Sequence, residues 1–355
     1  MRIAVYTGGN PITDACTRYR QALPVAALAA QGHDVALHEV VDNVVWQDYA
    51  GDPRIVNWEP SSDIVVFARP LSRDIADLIE IAATKCAVVI DMDDDFYMVP
   101  RENKAWEQVQ PGINPLANTD HLRRAINAAH LVTVTTPALA RRYGKAKSVV
   151  VPNYVPASYL QVQAPVHAPR IGWTGTMLTH PHDLESTRGA VAQALRSHPD
   201  VGFHVVGDGK GVREALGLSD QTECTVSGWV PFDDYPQHMA GLDVGIVPLQ
   251  SSAFNHGKSW LKLLEFAALG VPAVGSNSAA NVDFASQAGV SAIARSPRQW
   301  QGALTQLLAS ADLRQDVAGR SREVVKERFT IESNAVKWLD AWVNALADLR
   351  IGALV

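Results

Sequence analysis

The chain has 355 residues, of which 47% are hydrophobic and 19% charged, and its formal net charge is -6. This composition predicts a globular protein of two domains and excludes a disordered chain, and its net acidity argues against general nucleic-acid binding. The three widely spaced cysteines, Cys16, Cys86 and Cys224, exclude a disulfide framework and favour a reduced, cytoplasmic setting.

The first residues already have the pattern of a strand and leave no room for a signal peptide. No apolar run approaches the roughly 18 residues that a membrane span requires. We therefore expect a cytoplasmic protein, with peripheral membrane contact left open.

Strands and helices alternate along the first half of the chain. The predicted strands are 3–6, 34–40, 63–68, 87–91, 131–135 and 148–151, and the predicted helices are 19–28, 75–84 and 120–129. Such alternation is typical of a parallel sheet covered by helices on both faces.

The proline-rich stretch 153–169 predicts a linker, after which the alternation restarts. The second half contains predicted strands 170–174, 202–206, 225–226, 244–247, 273–274 and 292–293, and predicted helices 184–195, 300–309, 312–328 and 331–349. The predicted fold is therefore α/β with two doubly wound, Rossmann-like domains. The predicted boundaries are 1–160, 161–332, and a C-terminal segment 333–355 that packs back toward the first domain.

Ligands of open α/β sheets lie beyond the carboxyl ends of the strands. Four loops in such positions are distinctive, namely 8–10, 91–95, 172–182 and 207–209. None of the glycine loops completes a GxGxxG pattern, so a nicotinamide enzyme is not expected. The sequence also lacks GxSxG, HExxH and Walker A patterns. The common hydrolase and nucleoside-triphosphatase functions are therefore not expected.

The segment 254–265 combines a glycine turn, two lysines and a glutamate. Its periodicity predicts a helix from Lys258, with Leu261, Leu264 and Ala268 on the buried face and Lys258, Lys262 and Glu265 on the polar face. A helix N-terminus after a glycine turn favours phosphate, and Lys258 adds a full charge. Glu265 lies about 10 Å further along, a distance that suits the ribose of a nucleoside diphosphate. An ordinary solvated helix is the alternative.

Four aspartates follow the strand 87–91, at Asp91, Asp93, Asp94 and Asp95. They could hold a cation, bind sugar hydroxyls, or include a catalytic carboxylate. The alternative is structural: Asp94 or Asp95 caps a helix or pairs with a nearby arginine. In the segment 179–183, capping by Thr179 or Asp183, with His180 near a ligand, is favoured over a metal site.

Taken in order, several segments give the chain a resemblance to GT-B glycosyltransferases, particularly the retaining family-four (group 1) kind. In the second half they are 170–175, 204–209, 228–231, 242–249 and 254–274; in the first half they are 90–95, 132–137 and 151–154. The resemblance implies two domains facing across a cleft, with the donor nucleotide against the second one.

The resemblance implies a role for individual residues of the donor site. Glu265 would bind the ribose, Lys258 and Lys262 the diphosphate, and the loop residues Gly175 and Thr176 a phosphate. The other implied donor residues are His180, Gly207, Asp208, Val230, Asn255 and Gly257. Gly257 stands where many relatives have a sugar-binding glutamate, so Asn255 and Gly257 are expected to face the sugar instead.

On the acceptor side the resemblance implies Gly8, Gly9, Asn10, Asp91 and Asp94. Asp93 and Lys258 are the expected catalytic residues, acting with retention and without a metal or other cofactor. The expected donor is a UDP or GDP hexose. The acceptor could be a glycan, a lipid, a protein or a modified base. The alternatives are a non-hydrolysing nucleotide-sugar epimerase and a catalytically silent sugar-nucleotide-binding protein.

Overall fold

The computed structural model describes residues 1–289 and 292–352. The chain divides into two compact units, one of Met1–Asn153 with Ile331–Val355 and one of Tyr154–Thr330. The last three residues of the predicted C-terminal segment, 353–355, lie outside the described residues. No helix in the described ranges is long and apolar enough to cross a membrane.

The first unit is built on a six-stranded parallel sheet with the order β2-β1-β5-β6-β7-β8. Its strands are β1 Ile3–Tyr6, β2 Val35–His38, β5 Ile64–Ala68, β6 Ala87–Met92, β7 Leu131–Val134 and β8 Ser148–Val150. Strand β5 is buried along its whole length, and in β1 Ile3, Ala4 and Val5 are buried. Because both faces of such strands are covered, they are continuous apolar runs, which made them predictable.

The strands β3 Val45–Tyr49 and β4 Asp52–Asn57 form a separate antiparallel hairpin that the sequence analysis did not predict. Residues 45–49 are all exposed, so they lack the apolar run that marks a buried strand. Side-chain alternation alone is too weak a signal for a strand this short.

The helices of residues 1–153 are α1 Ala15–Thr17, α2 Leu23–Ala30, α3 Arg73–Ala82, α4 Ala105–Val109, α5 Thr119–Ala128 and α6 Pro137–Tyr143. A π-helical segment, Arg18–Ala22, joins α1 to α2. Ser72, Asn118 and Thr136 cap α3, α5 and α6 with their side chains, which accept hydrogen bonds from first-turn N–H groups.

The second unit has a parallel sheet with the order β11-β10-β9-β12-β13-β14. Its strands are β9 Arg170–Gly175, β10 Gly202–Gly207, β11 Cys224–Val226, β12 Val244–Val247, β13 Ala273–Ser276 and β14 Ala292–Ala294. Its helices are α7 Ala190–Arg196, α8 Val212–Leu216, α9 Tyr235–Ala240, α10 Leu261–Leu269, α11 Ala279–Ala288, α12 Pro297–Ala309 and α13 Ala311–Arg328. The strand order reverses between β9 and β12, and this switch point is where such sheets bind ligands.

Two predicted helices are each divided in the structure. The stretch 184–195 is a 3-10 turn, Leu184–Thr187, followed by α7, because Arg188 and Gly189 both adopt positive φ. The stretch 331–349 is α14 Ile331–Asn334 followed by α15 Val336–Gly352. Helix α15 packs on β5, β6 and β7 of the first sheet, where Trp338 and Trp342 are fully buried.

Candidate functional site

Two glycines end the central strands of the second sheet. Gly175 and Gly207 are register partners on β9 and β10, with φ of 143° and 128°. A Cβ atom on Gly207 would lie 2.2 Å from the carbonyl oxygen of Gly175, so a side chain there is excluded. The N–H of Asp208 donates to that same carbonyl over 3.0 Å. The glycines therefore let the two strand-end loops approach backbone to backbone.

The loop after β9 is joined to the loop after β10 by a side-chain contact as well. The hydroxyl of Thr176 lies 3.4 Å from a carboxylate oxygen of Asp208, whose other oxygen accepts from the N–H of Lys210. Gly207 also forms an isolated bridge with Gly228, which brings the segment of Val230 to the same edge. Trp229 in that segment is 75% exposed, and the sequence analysis assigned it no role.

A buried carboxylate connects the loop after β9 to the loop after β12. Asp183 is 1% exposed; its Oδ2 lies 3.0 Å from Nδ1 of His180, and its Oδ1 accepts from the side-chain amide of Asn255 and the N–H of Gln250, both at 2.8 Å. Because a carboxylate only accepts, Nδ1 of His180 carries the proton. The predicted helix capping by Asp183 is therefore wrong, since its side chain makes no cap hydrogen bond.

The segment predicted as the start of a phosphate-binding helix is a turn. Asn255–Gly257 form a 3-10 turn, Lys258 is extended, and α10 begins only at Leu261. The prediction of a helix from Lys258 is thus wrong, because the turn has helix-like spacing without continuing the helix. The ammonium of Lys258 lies 4.6 Å from the ring centroid of Phe254. The N-cap residue of α10, Trp260, makes no side-chain cap hydrogen bond, and the N–H of Leu261 donates to the Ser259 hydroxyl at 3.4 Å. The next N–H groups of the first turn are suited to an anion.

Glu265 lies inside the fold, paired with Lys262 of the same predicted polar face. It is 1% exposed, and its Oε2 accepts from the ammonium of Lys262 at 3.0 Å. The Tyr235 hydroxyl accepts from Lys262 at 2.7 Å and lies 3.3 Å from that Oε2 and 3.0 Å from the Thr174 hydroxyl. These four side chains, hereafter the Glu265 cluster, join α10 to α9 and to the end of β9.

Burial sets the protonation of the Glu265 cluster. Burial and then the Glu265 carboxylate raise the pKa of Tyr235 to about 12, so its phenol is neutral near pH 7. Burial lowers the pKa of Lys262, but Glu265 and Tyr235 outweigh it, and the net pKa is raised. The cluster therefore presents a protonated lysine, and Tyr235 was missed by the sequence analysis because only its contacts reveal it.

The aspartates after β6 pair with arginines from distant parts of the first unit. Asp91 is 2% exposed and holds Arg20 through two hydrogen bonds of 2.8 and 2.9 Å, and it also accepts from Thr133. Asp95 accepts from Arg142 at 2.7 Å, and burial raises its pKa. The structural interpretation of Asp95 holds, whereas the burial of Asp91 argues against its predicted contact with an acceptor.

Asp93 lies closer to the surface than Asp91. Arg69 donates to both of its oxygens, at 2.7 and 2.6 Å, and the side chain of Asp93 is 10% exposed. Burial lowers the pKa of Arg69, but Asp93, Asp14 and Asp94 together outweigh burial, and the net pKa is raised. Arg69 has φ of 44°, an uncommon conformation for a residue other than glycine, and its N–H donates to the carbonyl of Asp91.

The predicted acceptor-side turn adjoins this pair. Gly8 has φ of 65°, and a Cβ atom there would lie 2.6 Å from the carbonyl oxygen of Ala68, the residue before Arg69. The side-chain amide of Asn10 closes the turn by donating to the carbonyl oxygen of Thr7 at 2.7 Å. Apart from its chain neighbours, no described residue would lie within 4 Å of a Cβ atom on Gly9. The carbonyl oxygen of Asp94 accepts from the Tyr143 hydroxyl. Across residues 1–289 and 292–352, no group of three or more His, Cys, Asp or Glu has an arrangement that could hold a metal.

Residues 168–310 match the family described as glycosyl transferases group 1. The chain carries a glycosyl transferases group 1 domain. This domain runs from just before β9 to the end of α12, and so contains Gly175, the Asp183 contacts and the Glu265 cluster. It confirms the predicted enzyme class, a glycosyltransferase. A search of curated protein sequences finds no match to the chain.

Solved structures that match nearly the whole chain confirm the predicted GT-B fold. Sucrose-phosphate synthase from Thermosynechococcus elongatus is 15% identical with a TM-score of 0.64, over 98% of this chain and 99% of that one. A glycosyltransferase from Rickettsia africae is 14% identical with a TM-score of 0.64, over 97% and 98%. HepE from Anabaena, solved in complex with UDP and glucose, is 13% identical with a TM-score of 0.62, over 97% and 100%.

Proposed function

We propose that the protein transfers a hexose from a nucleoside-diphosphate sugar to a hydroxyl group of an acceptor. The observation that carries this proposal is the Glu265 cluster, which lies beside the glycine-lined ends of β9 and β10 within the group 1 domain. A buried, lysine-held carboxylate next to exposed backbone N–H groups provides acceptors for ribose hydroxyls and donors for phosphates. HepE, solved with UDP and glucose, supports a UDP-type donor.

The diphosphate would be bound at the start of α10 and in the loop after β9. The first turn of α10 offers the N–H groups that follow Leu261, and Lys258 adds a charge on an extended segment just before it. Gly175 and Thr176 add backbone at the end of β9. The ammonium of Lys262 is already bonded to Glu265 and Tyr235, so we assign it the role of positioning Glu265. This narrows the earlier expectation that both lysines bind the diphosphate.

The hexose would lie against the turn Asn255–Gly257, on the side where Asp183 fixes His180 and Asn255. The side-chain amide of Asn255 donates to Asp183 and to the carbonyl of Gln250, so the turn is held rigidly. With glycine at 257, the sugar would be recognised there by backbone groups and by His180 in place of a carboxylate. Asp208 and Val230, on the neighbouring loops, would border the base.

The transfer would proceed with retention and without a metal. The bond between the anomeric carbon and the diphosphate oxygen breaks, the acceptor oxygen forms the new bond to that carbon, and the acceptor proton passes to the leaving diphosphate. Lys258 and the start of α10 stabilise the departing negative charge. Asp93, held in place by two hydrogen bonds from Arg69, would stabilise positive charge on the sugar or orient the acceptor hydroxyl.

The proposal is tested by incubating the protein with UDP-hexoses and GDP-hexoses and a panel of hydroxylated acceptors, with nucleotide release and product anomers as readouts. We expect nucleotide release that depends on acceptor, a retained anomeric configuration, and activity in excess chelator. Lys258→Ala should lower kcat by about 10²-fold, because the positive charge that stabilises the leaving diphosphate is lost. Lys326→Ala, an exposed lysine of α13, is the matched control.

Three outcomes would contradict the proposal or part of it. Conversion of a nucleotide sugar to its epimer without any acceptor would identify an epimerase. Nucleotide binding without turnover across the donor and acceptor panels would identify a silent binding protein, and loss of all activity with chelator would overturn the metal-free mechanism.

A further inference from the structure

A cavity of about 890 Å³ lies within the second unit, where β12, β13 and β14 end. Its size falls in the range of about 300–1,000 Å³ that small-molecule sites occupy. Asn255 and His256, from the turn proposed to face the hexose, line it, but none of the residues proposed to bind the ribose, the diphosphate or the base does. The lining residues that matter most here are His182, Arg188, Ser251, Ser278, Arg295 and Ser296.

The cavity carries positive charge in a protein that is acidic as a whole. Arg188 and Arg295 line it, and neither guanidinium has a hydrogen bond or ion pair to any residue in the ranges 1–289 and 292–352. The carboxylate among the described lining residues is Glu185, which is already paired with His182 at 2.8 Å. Two guanidinium groups with unused donors favour a ligand that carries a phosphate or carboxylate.

The same wall is rich in hydroxyl and amide groups. Ser278 and Ser296 line the cavity and are the N-cap residues of α11 and α12, so the positive ends of both helices lie there. Their hydroxyls accept from Asn281 and Gln299, at 3.2 and 3.3 Å, and can still donate to a ligand. Such a lining suits a polyhydroxylated ligand better than an apolar one.

We propose that this cavity binds a sugar phosphate, with the phosphate between Arg188 and Arg295 and the sugar hydroxyls on the serines and amides of the wall. The site is separate from the one proposed for the nucleotide diphosphate and does not depend on glycosyl transfer. Asn255 lies at the border, because it lines the cavity and also bonds Asp183, which holds His180. A ligand in the cavity that contacts Asn255 is therefore connected through Asp183 to His180, in the loop after β9.

Titration calorimetry with glucose 6-phosphate, inorganic phosphate and glucose tests the proposal. We expect saturable binding of glucose 6-phosphate, weaker binding of inorganic phosphate, and no measurable binding of glucose. The double variant Arg188→Gln/Arg295→Gln should bind glucose 6-phosphate at least about tenfold more weakly, since two charged hydrogen bonds are lost. Arg298→Gln removes an exposed arginine in the first turn of α12 that does not line the cavity, and should change the affinity by less than about twofold.

The control for folding is thermal unfolding, which should be nearly unchanged in all variants because the three arginines are exposed. UDP affinity should also be unchanged in the double variant, and glucose 6-phosphate should still bind UDP-saturated protein. The proposal is overturned if no saturable binding occurs, if the double variant binds as tightly as the native protein, if inorganic phosphate binds as well as glucose 6-phosphate, or if UDP competes with the sugar phosphate. Failure of UDP to bind would instead contradict the proposed function.

Discussion

Lys262 donates a 3.0 Å hydrogen bond to Glu265 one turn along the same helix, and the acceptor carboxylate is 1% exposed. A carboxylate this buried is costly unless it is paired and hydrogen-bonded. The Tyr235 hydroxyl lies against both groups, so the three side chains form a single polar cluster inside the group 1 domain. The lysine thus fixes the position of the residue proposed to hold the ribose.

Replacing Lys262 should therefore destabilise the fold as well as weaken nucleotide binding. Lys262→Met leaves Glu265 without its cation, and we expect a loss of about 1–2 kcal/mol in the free energy of unfolding. Because the side chain of Lys262 is 38% exposed, the lower end of that range is expected. Urea unfolding measures it, and the double variant Lys262→Met/Glu265→Gln should recover part of the loss. Equal stability of Lys262→Met and the native protein would contradict this prediction.

Gly207 should tolerate no side chain. In Gly207→Ala the new Cβ would meet the carbonyl oxygen of Gly175 at 2.2 Å, so the strand-end loops must separate. We expect a loss of more than about 2 kcal/mol in stability together with weaker nucleotide binding. Gly217→Ala is the matched control, since Gly217 also has positive φ, 67°, but has open space around it. It should cost about 1 kcal/mol and leave nucleotide affinity unchanged. Similar losses in both variants would show that backbone strain alone is responsible.

Asp183 should matter for the donor although we do not place it in contact with the nucleotide. Asn at this position can accept hydrogen bonds through only one atom, so either the His180 contact or the contacts of Asn255 and Gln250 are lost. Asp183→Asn should raise KM for the nucleotide sugar by about tenfold, equivalent to about 1.4 kcal/mol. Steady-state kinetics on Asp183→Asn and on Asp200→Asn, an exposed aspartate, distinguish a local effect from a general one. An unchanged KM would contradict the proposal that Asp183 positions His180 and Asn255 for the donor.

The buried His204 should make the protein less stable in mild acid. Burial, and after it Arg170, lowers the pKa of His204 from 6.5 to about 4, and its ring nitrogens contact Thr225 and Ser227. Between these pH values the unfolded chain binds a proton that the folded protein does not, so stability falls as pH drops through that window. The contribution is at most about 1.4 kcal/mol per pH unit, the limit for one proton. Urea unfolding from pH 4 to 8 should show this slope in the native protein and a shallower one in His204→Gln. Identical slopes would exclude His204 as the cause.

The sheet strands were predictable because burial on both faces leaves an unmistakable apolar run, as in residues 64–68. Ends of helices were less predictable. The sequence 184–195 has helical spacing throughout, yet Gly189 at φ of 76° interrupts it. For the same reason, the helix that contains Glu265 was predicted to begin at Lys258. The residues before Leu261 have helical spacing but do not continue the helix.

The partners of the charged residues could not be predicted, because they lie far apart in the chain. Asp91 and Asp93 differ by two positions, yet one is buried against Arg20 and the other is held near the surface by Arg69. Asp91 lies within β6 and Asp93 follows the end of that strand, which accounts for the difference in burial, but nothing in the local sequence identifies either arginine. Likewise Asp183 precedes a helical turn and has the sequence of a cap, whereas its bonds go to His180 and to a loop about 70 residues away.

The most direct test of the central claim is the affinity of UDP and GDP for the native protein and for Glu265→Gln, measured by titration calorimetry. We predict that one of the two nucleotides binds the native protein with saturable heat. Glu265→Gln should bind that nucleotide at least about tenfold more weakly, because the ionised acceptor for the ribose hydroxyls is lost. Glu327→Gln, an exposed glutamate of α13, should bind like the native protein. Native-like affinity of Glu265→Gln, or no binding of either nucleotide to the native protein, would contradict a nucleotide-sugar site at Glu265.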